Sequence, residues 1–189
     1  MSNVRTAAAM TMLALLTLPA AACGPAAREE AVPSATTTAS AQPTVSPTAS
    51  GKAPVPAALR FTARTLDGET FRGESLAGRS IVFWFWAPWC PKCLSEAPAV
   101  KAASARHADV AFVGVAGLDT EAAMKQFVQR TKTGDLLHLS DAEGAVWTKL
   151  GVTEQSTFVF MKPDGSLHKA SGPLGPDQLA EHLRTLLGR

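Results

Sequence analysis

Beyond residue 58 the chain alternates short, continuous apolar runs with longer stretches in which apolar residues recur every three or four positions. Residues 24–57 show neither period. Ile81-Val82-Phe83-Trp84-Phe85-Trp86 is apolar at every position, which marks a central strand covered on both faces. Val110 to Val115 reads as a second buried strand. Leu59 to Thr65, Asp67-Gly68 and Glu69 to Arg72 predict strand, turn and strand, because Asp-Gly suits a tight hairpin. Ser75 to Gly78 is a short turn or helical piece. Lys92 to His107 is Ala-rich and helical, with Pro98 inside it expected to kink the helix. Thr120 to Arg130 is a helix with Thr120 as N-cap and Glu121 in its first turn. Leu136 to Leu139 suggests a short strand, and Ala142 to Leu150 a short helix ended by Gly151. Thr157 to Met161 and Ser166 to Ala170 flank Pro163-Asp164-Gly165 as a hairpin. Pro176 to Leu187 places Leu179, Leu183, Leu186 and Leu187 on one helix face. Buried strands alternating with helices predict an α/β domain.

The N-terminal third has a different logic. Arg5 precedes an apolar run, Ala7 to Leu18, followed by Pro19, Ala20, Ala21, Ala22 and Cys23, the layout of a secretory signal over residues 1–22. An uncleaved anchor helix is the alternative, but a membrane span needs about 20 apolar residues. Pro25, Pro33, Pro43, Pro47, Pro54 and Pro56 punctuate an Ala, Ser and Thr background in residues 24–57. Such a segment cannot offset its ordering entropy by burial and is expected to be a disordered, extended tether. All 12 aromatic residues lie at or beyond Phe61, so the core must be built from residues 58–189. About 130 residues suit one domain and exclude a second of enzyme size. The net charge of +2, from 18 Lys and Arg against 16 Asp and Glu, offers no basic stripe for nucleic acid. A monomer is expected.

Three cysteines, Cys23, Cys90 and Cys93, carry the chemistry, and the odd count leaves one without an internal partner. Cys23 follows the small residues as in a bacterial lipobox, which it resembles. Lipidation there would remove the odd thiol and anchor the chain to a membrane, with plain cleavage after Ala22 as the alternative. Cys90-Pro91-Lys92-Cys93 lies between a buried strand and a helix start. Two intervening residues permit a small disulfide ring, and the helix N-terminus offers free N–H groups and a positive dipole end that stabilise a thiolate. Pro91 suits the first helical turn, where its missing N–H is no loss. Cys90 is therefore expected to be the exposed attacking thiol and Cys93, one turn inward, the resolving one. Lys92 adds a cation beside Cys90; a stabilised thiolate favours the reduced pair and makes a more oxidising couple. A structural disulfide or a metal site are the competing readings. Zinc normally takes four ligands, and His107, His138, His168 and His182 are scattered, so no metal site is assigned. A thiol peroxidase would need Thr where Ala87 stands.

The stretch Phe85-Trp86-Ala87-Pro88-Trp89-Cys90-Pro91-Lys92-Cys93, taken with the element order, resembles the active-site segment of thioredoxin-fold proteins. More narrowly it resembles the extracytoplasmic TlpA/ResA/DsbE group, especially the actinobacterial DsbE- and DsbF-like proteins, over about residues 58–189. The resemblance implies a central mixed β-sheet flanked by helices with an added N-terminal β-hairpin. It also implies a thiol-disulfide oxidoreductase with no dissociable cofactor. The partners it implies are exported cysteine-containing proteins or apocytochromes, and a membrane redox protein. Glu96 matches a buried acid near the thiols in the ResA-like proteins and would exchange a proton with Cys93; an exposed helix carboxylate is the alternative. Trp84 stands where thioredoxins carry a buried Asp, and Trp84 and Trp86 read as core. Pro88, Trp89 and the Gln155-Ser156-Thr157 loop would frame the protein substrate. The family carries a cis-proline where this chain has Ser156, so the Gln155-Ser156 bond is expected to be trans. A non-enzymatic metal-binding or substrate-holding module of the same fold is the other class of function.

Overall fold

The structure, a computed structural model, describes residues 54–189. The expected signal segment, the lipidated Cys23 and nearly all of the tether lie outside the described residues. A short 3-10 turn at Ala57–Leu59 leads into the hairpin β1 (Thr62–Thr65) and β2 (Thr70–Arg72). Then follow β3 (Ser80–Trp86), α1 (Pro91–Arg106), β4 (Val110–Ala116), α2 (Glu121–Thr131), β5 (Leu137–Ser140) and α3 (Ala145–Lys149). The chain closes with β6 (Thr157–Met161), β7 (Leu167–Ser171) and α4 (Pro176–Leu187).

The seven strands form one mixed sheet in the order β2-β1-β5-β4-β3-β6-β7. β3 lies between β4, its parallel partner, and β6, its antiparallel one. Every residue of β3 after Ser80 is buried, which its unbroken apolar run required. Successive side chains alternate across the sheet. Val82, Trp84 and Trp86 join Cys93, Val100, Met124, Phe127, Leu179 and Leu183 in a core under α1, α2 and α4. Ile81, Phe83 and Phe85 meet Leu59, Val115, Leu139 and Trp147 on the opposite face. The N-terminal hairpin extends the sheet by pairing β1 antiparallel to β5.

Local signals account for several boundaries. Thr120 Oγ1 accepts from the Ala123 N–H at 3.3 Å and caps α2 as expected. Helix α1 runs unbroken through Pro98, its two ends at Pro91 and Arg106. The short helix begins at Ala145 rather than Ala142, because Asp141 bends the chain into it. The buried Asp141 carboxylate accepts from the Val146 and Trp147 backbone N–H groups at 3.0 and 2.9 Å. The expected tether also ends earlier than residue 57: Val55 is half-buried against the second core face, and Leu59 donates its N–H to Pro56 O at 3.0 Å.

Candidate active site

The cysteine pair is placed by the end of β3. After Trp86 the chain turns through Ala87-Pro88-Trp89, closed by the Cys90 N–H donating to Ala87 O at 3.1 Å. Cys90 is the N-cap of α1, with extended backbone angles (φ −80°, ψ 113°), and Pro91 occupies the first helical turn. Cys90 Sγ accepts a hydrogen bond from the Cys93 N–H at 3.1 Å. The sulfur thus takes the capping role usually filled by an oxygen, at the positive end of a 16-residue helix. Cys90 and Cys93 are joined as a disulfide with their Cα atoms 5.3 Å apart. In this oxidised state Cys90 is 4% exposed, not the open thiol expected, because its sulfur is turned toward Cys93 and the site's core. Cys93 is fully buried, so Cys90 is still the more accessible of the two.

Glu96, one helical turn beyond Cys93, is 1% exposed, which disposes of the exposed-carboxylate alternative. Its Oε2 accepts from Trp84 Nε1 at 3.0 Å and from the Ser156 hydroxyl. Its Oε1 accepts from the Leu174 N–H at 2.9 Å. Burial pushes the Glu96 carboxyl up from its ordinary value; the hydrogen bonds from Ser156, Leu174 and Trp84, and then the Lys92 charge, oppose that rise. The carboxyl is also tightly enclosed: a Cβ at Gly172 would collide with Glu96 Oε1 and stand 2.6 Å from Ser156 Oγ.

The Gln155-Ser156 peptide bond is cis, not trans as expected. The local contacts hold the loop: the Ser156 hydroxyl engages Glu96, and Ser156 O accepts from the Gly172 N–H at 2.8 Å. Ser156 and Thr157 are buried, and Gln155 is half-buried. Thr157 pairs with Phe85 at the site end of β3, and its hydroxyl donates to Glu154 O at 2.8 Å. Pro91 and Lys92 are exposed. Trp89 is 55% exposed, and its indole N–H donates to Leu118 O at 3.1 Å. Pro88 O accepts from the Arg130 guanidinium at 3.1 Å.

The structure thus gathers Cys93, Glu96 and Ser156 beneath the surface, with Pro88, Trp89, Pro91 and Lys92 on it. Three participants escaped the sequence reading. Trp84 is core as expected, yet its indole N–H also serves Glu96; the signal available was its position where thioredoxins carry an acid. Leu118, 48% exposed with φ 62°, sits beside Trp89 and had no sequence signal beyond following β4. Leu174 contributes only its backbone, which no side-chain pattern reveals. A cleft of about 390 Å³ is lined by Thr62, Arg64, Thr70, Asp141 and Val146 and by none of the residues around the disulfide. No group of three or more His, Cys, Asp or Glu side chains converges among the described residues.

The AhpC/TSA family matches residues 54–170. The soluble secreted antigen MPT53 of Mycobacterium tuberculosis is 38% identical over 131 residues, spanning 68% of this chain and 75% of that protein. The thiol-disulfide oxidoreductase ResA of Oceanobacillus iheyensis is 27% identical over 132 residues, 68% of each chain. Among solved structures, MTB dsbF superposes with a TM-score of 0.68 at 46% identity, covering 70% of this chain and 99% of that one. A secreted Mycobacterium tuberculosis disulfide oxidoreductase homologous to E. coli DsbE gives 0.65 at 38% identity, covering 68% and 98%. The family match runs from the first described residue to the penultimate residue of β7 and takes in Cys90, Cys93, Glu96 and Ser156. The chain therefore belongs to the AhpC/TSA family, among its thioredoxin-like thiol-disulfide oxidoreductases.

Proposed function

We propose that this oxidoreductase works outside the cytoplasm, tethered to a membrane through Cys23, and passes its Cys90–Cys93 disulfide to exported cysteine-containing proteins. Apocytochromes are the narrower substrate class of the same chemistry. Cys90 as the N-cap of α1 is the observation that carries the reading: a thiolate at that position accepts the Cys93 N–H and faces the helix dipole. That environment stabilises the reduced pair and so favours an oxidant. Lys92 adds a cation, and burial pushes the Glu96 carboxyl up, the direction that lessens opposing negative charge beside the thiolate.

The exchange has two steps. A substrate thiolate attacks Cys90 Sγ, the more accessible sulfur, and forms a mixed disulfide. The Cys90–Cys93 bond breaks, and Cys93 leaves as a thiolate that takes a proton from Glu96. A second substrate thiolate then attacks the substrate's own sulfur in the mixed disulfide and releases the Cys90 thiolate. Two electrons pass from the substrate dithiol to the pair, and a membrane redox partner of the opposite polarity removes them. The reverse sequence, with Glu96 accepting the Cys93 proton, resolves a mixed disulfide in the reducing direction. Trp89, half-exposed beside Leu118, and the Gln155-Ser156-Thr157 loop flank the approaching substrate chain. The exposure of Trp89, Pro91 and Lys92 around the disulfide suits a polypeptide substrate.

A redox titration of the Cys90/Cys93 pair, in the full chain with Cys23→Ser, tests the direction. The expected potential lies in the oxidising half of the range from about −120 to about −270 mV spanned by proteins of this kind. A value at the thioredoxin end or below would assign the chain to reduction instead.

A further inference from the structure

The three donors that serve Glu96 are not chemically equivalent. Trp84 Nε1 and the Leu174 backbone nitrogen, 3.0 and 2.9 Å from the carboxyl oxygens, give a proton and accept none. The third partner is the Ser156 hydroxyl, which can do either. When a buried carboxylate takes up a proton, one of its acceptor oxygens becomes a donor. Facing only an indole N–H and a peptide N–H, that new O–H would meet another donor and stay unsatisfied, a costly state in a buried site. Among the hydrogen-bond partners of Glu96 only Ser156 can accept, and the pocket is tight: Ser156 is 2% exposed, and a Cβ at Gly172 would already crowd both Ser156 Oγ and Glu96 Oε1.

We propose that Ser156 is a proton-state adapter for Glu96, donating to the carboxylate and, by rotating its hydroxyl, accepting from the carboxylic acid. Glu96 then gives up and regains the Cys93 proton while Ser156 stays bonded to it in both states. The inference rests on the role of Glu96 proposed above and assigns Ser156 as its positioning residue. A proline at 156, which the resembled family carries, has no group able to act in this way.

The groups facing Glu96 are few. From β3 comes the neutral Trp84 indole, and from the 172–174 segment only backbone. From α1 comes the Lys92 cation, whose field favours the ionised carboxyl, with Cys93 one helical turn before Glu96. On the Ser156 loop, Glu154 is exposed and accepts from Ser171 Oγ at 3.3 Å, not from the Glu96 network.

The test is the pH dependence of the Cys90/Cys93 potential in the full chain, with Glu96→Gln, Ser156→Ala and Ser156→Thr alongside the parent. The parent is expected to show a change of slope that Glu96→Gln abolishes. Ser156→Ala removes a charge-assisted donor, so the slope change should move upward by about half to one pH unit. Ser156→Thr, which keeps a hydroxyl, should return it toward the parent value. Difference infrared spectroscopy of the Glu96 carboxyl gives a second readout: its protonated C=O band should shift frequency in Ser156→Ala as its hydrogen-bond partner is lost. If Glu96→Gln abolishes the slope change but Ser156→Ala moves neither the slope change nor the band, the adapter is wrong and the role of Glu96 stands. If Glu96→Gln leaves the profile of the parent unchanged, the proposed role of Glu96 fails, and the adapter with it.

Discussion

Gly172→Ala adds one methyl group at the most confined point of the acid pocket. Gly172 follows β7, donates its N–H to Ser156 O at 2.8 Å, and leaves no space between its Cα and the Glu96 carboxyl. The new Cβ would collide with Glu96 Oε1 and sit 2.6 Å from Ser156 Oγ. Neither neighbour can swing away, since both are buried and Oε1 is held at 2.9 Å by the Leu174 N–H. Overpacking of this kind costs about 1–3 kcal/mol, and displacing a carboxylate from one charge-assisted donor adds about 1–2 kcal/mol. For a domain of about 130 residues, each kcal/mol moves the melting temperature by about 4 °C, so a fall of roughly 8–20 °C is expected. The displaced carboxyl should also alter the pH profile of the disulfide potential, which a remote packing defect would leave alone. A melting temperature within about 2 °C of the parent, together with an unchanged pH profile, would refute the placement of Glu96 against Gly172.

Three further substitutions test other parts of the structure. Burial raises the folded-state pKa of Glu96 above its ordinary value of 4.5, so its contribution is complete below 4.5 and is lost as pH rises toward the folded value. The stability difference between Glu96→Gln and the parent should therefore shift in favour of the variant as pH rises from about 4.5; a difference independent of pH in urea titrations would contradict the burial argument. His168 stacks on Phe160 with ring centres 4.8 Å apart and lies 3.3 Å from His182; burial, then the His182 and Lys162 charges, hold it below the ordinary 6.5. Stability should fall as pH drops below about 6.5, and less steeply in His168→Gln; equal acid-side slopes would count against it. Thr120→Ala removes the Oγ1 cap of α2 and should cost about 1 kcal/mol in chemical denaturation without changing the disulfide potential.

The features legible in the sequence were those set by local pattern. An unbroken apolar run had to be covered on both faces, and β3 is. A threonine before an acidic first turn capped α2, and Cys90-Pro91 opened α1 because a missing N–H is harmless there. Strand order was not legible, since hydrophobic period says which face of a strand is buried and nothing about which strand lies beside it. Asp141 shifted the start of α3 by a backbone-capping role that no spacing of apolar residues records.

The site divides along the same line. The cysteines and Glu96 occupy one helix, and helical spacing alone put them on one face. The rest of the acid pocket comes from residues 12, 60 and 78 positions away from Glu96, brought together only by the packing of β3, the Ser156 loop and the segment before α4. Ser156 illustrates the limit most clearly. Read alone, it was a missing proline and an expected trans bond; in the fold it is a buried hydroxyl bonded to Glu96, one helical turn beyond Cys93. The departure from the family at Ser156 and the replacement of a strand carboxylate by Trp84 are thus two halves of one arrangement. Here the buried acid stands on α1, and both residues that look anomalous in the sequence are among its three donors. Trp84→Asp and Ser156→Pro should consequently each cost more stability in the parent than in a Glu96→Gln background, where the charged acceptor that both residues serve is absent. If instead the three changes were additive in stability and in the pH profile, the residues would be independent and the shared pocket would carry no coupling.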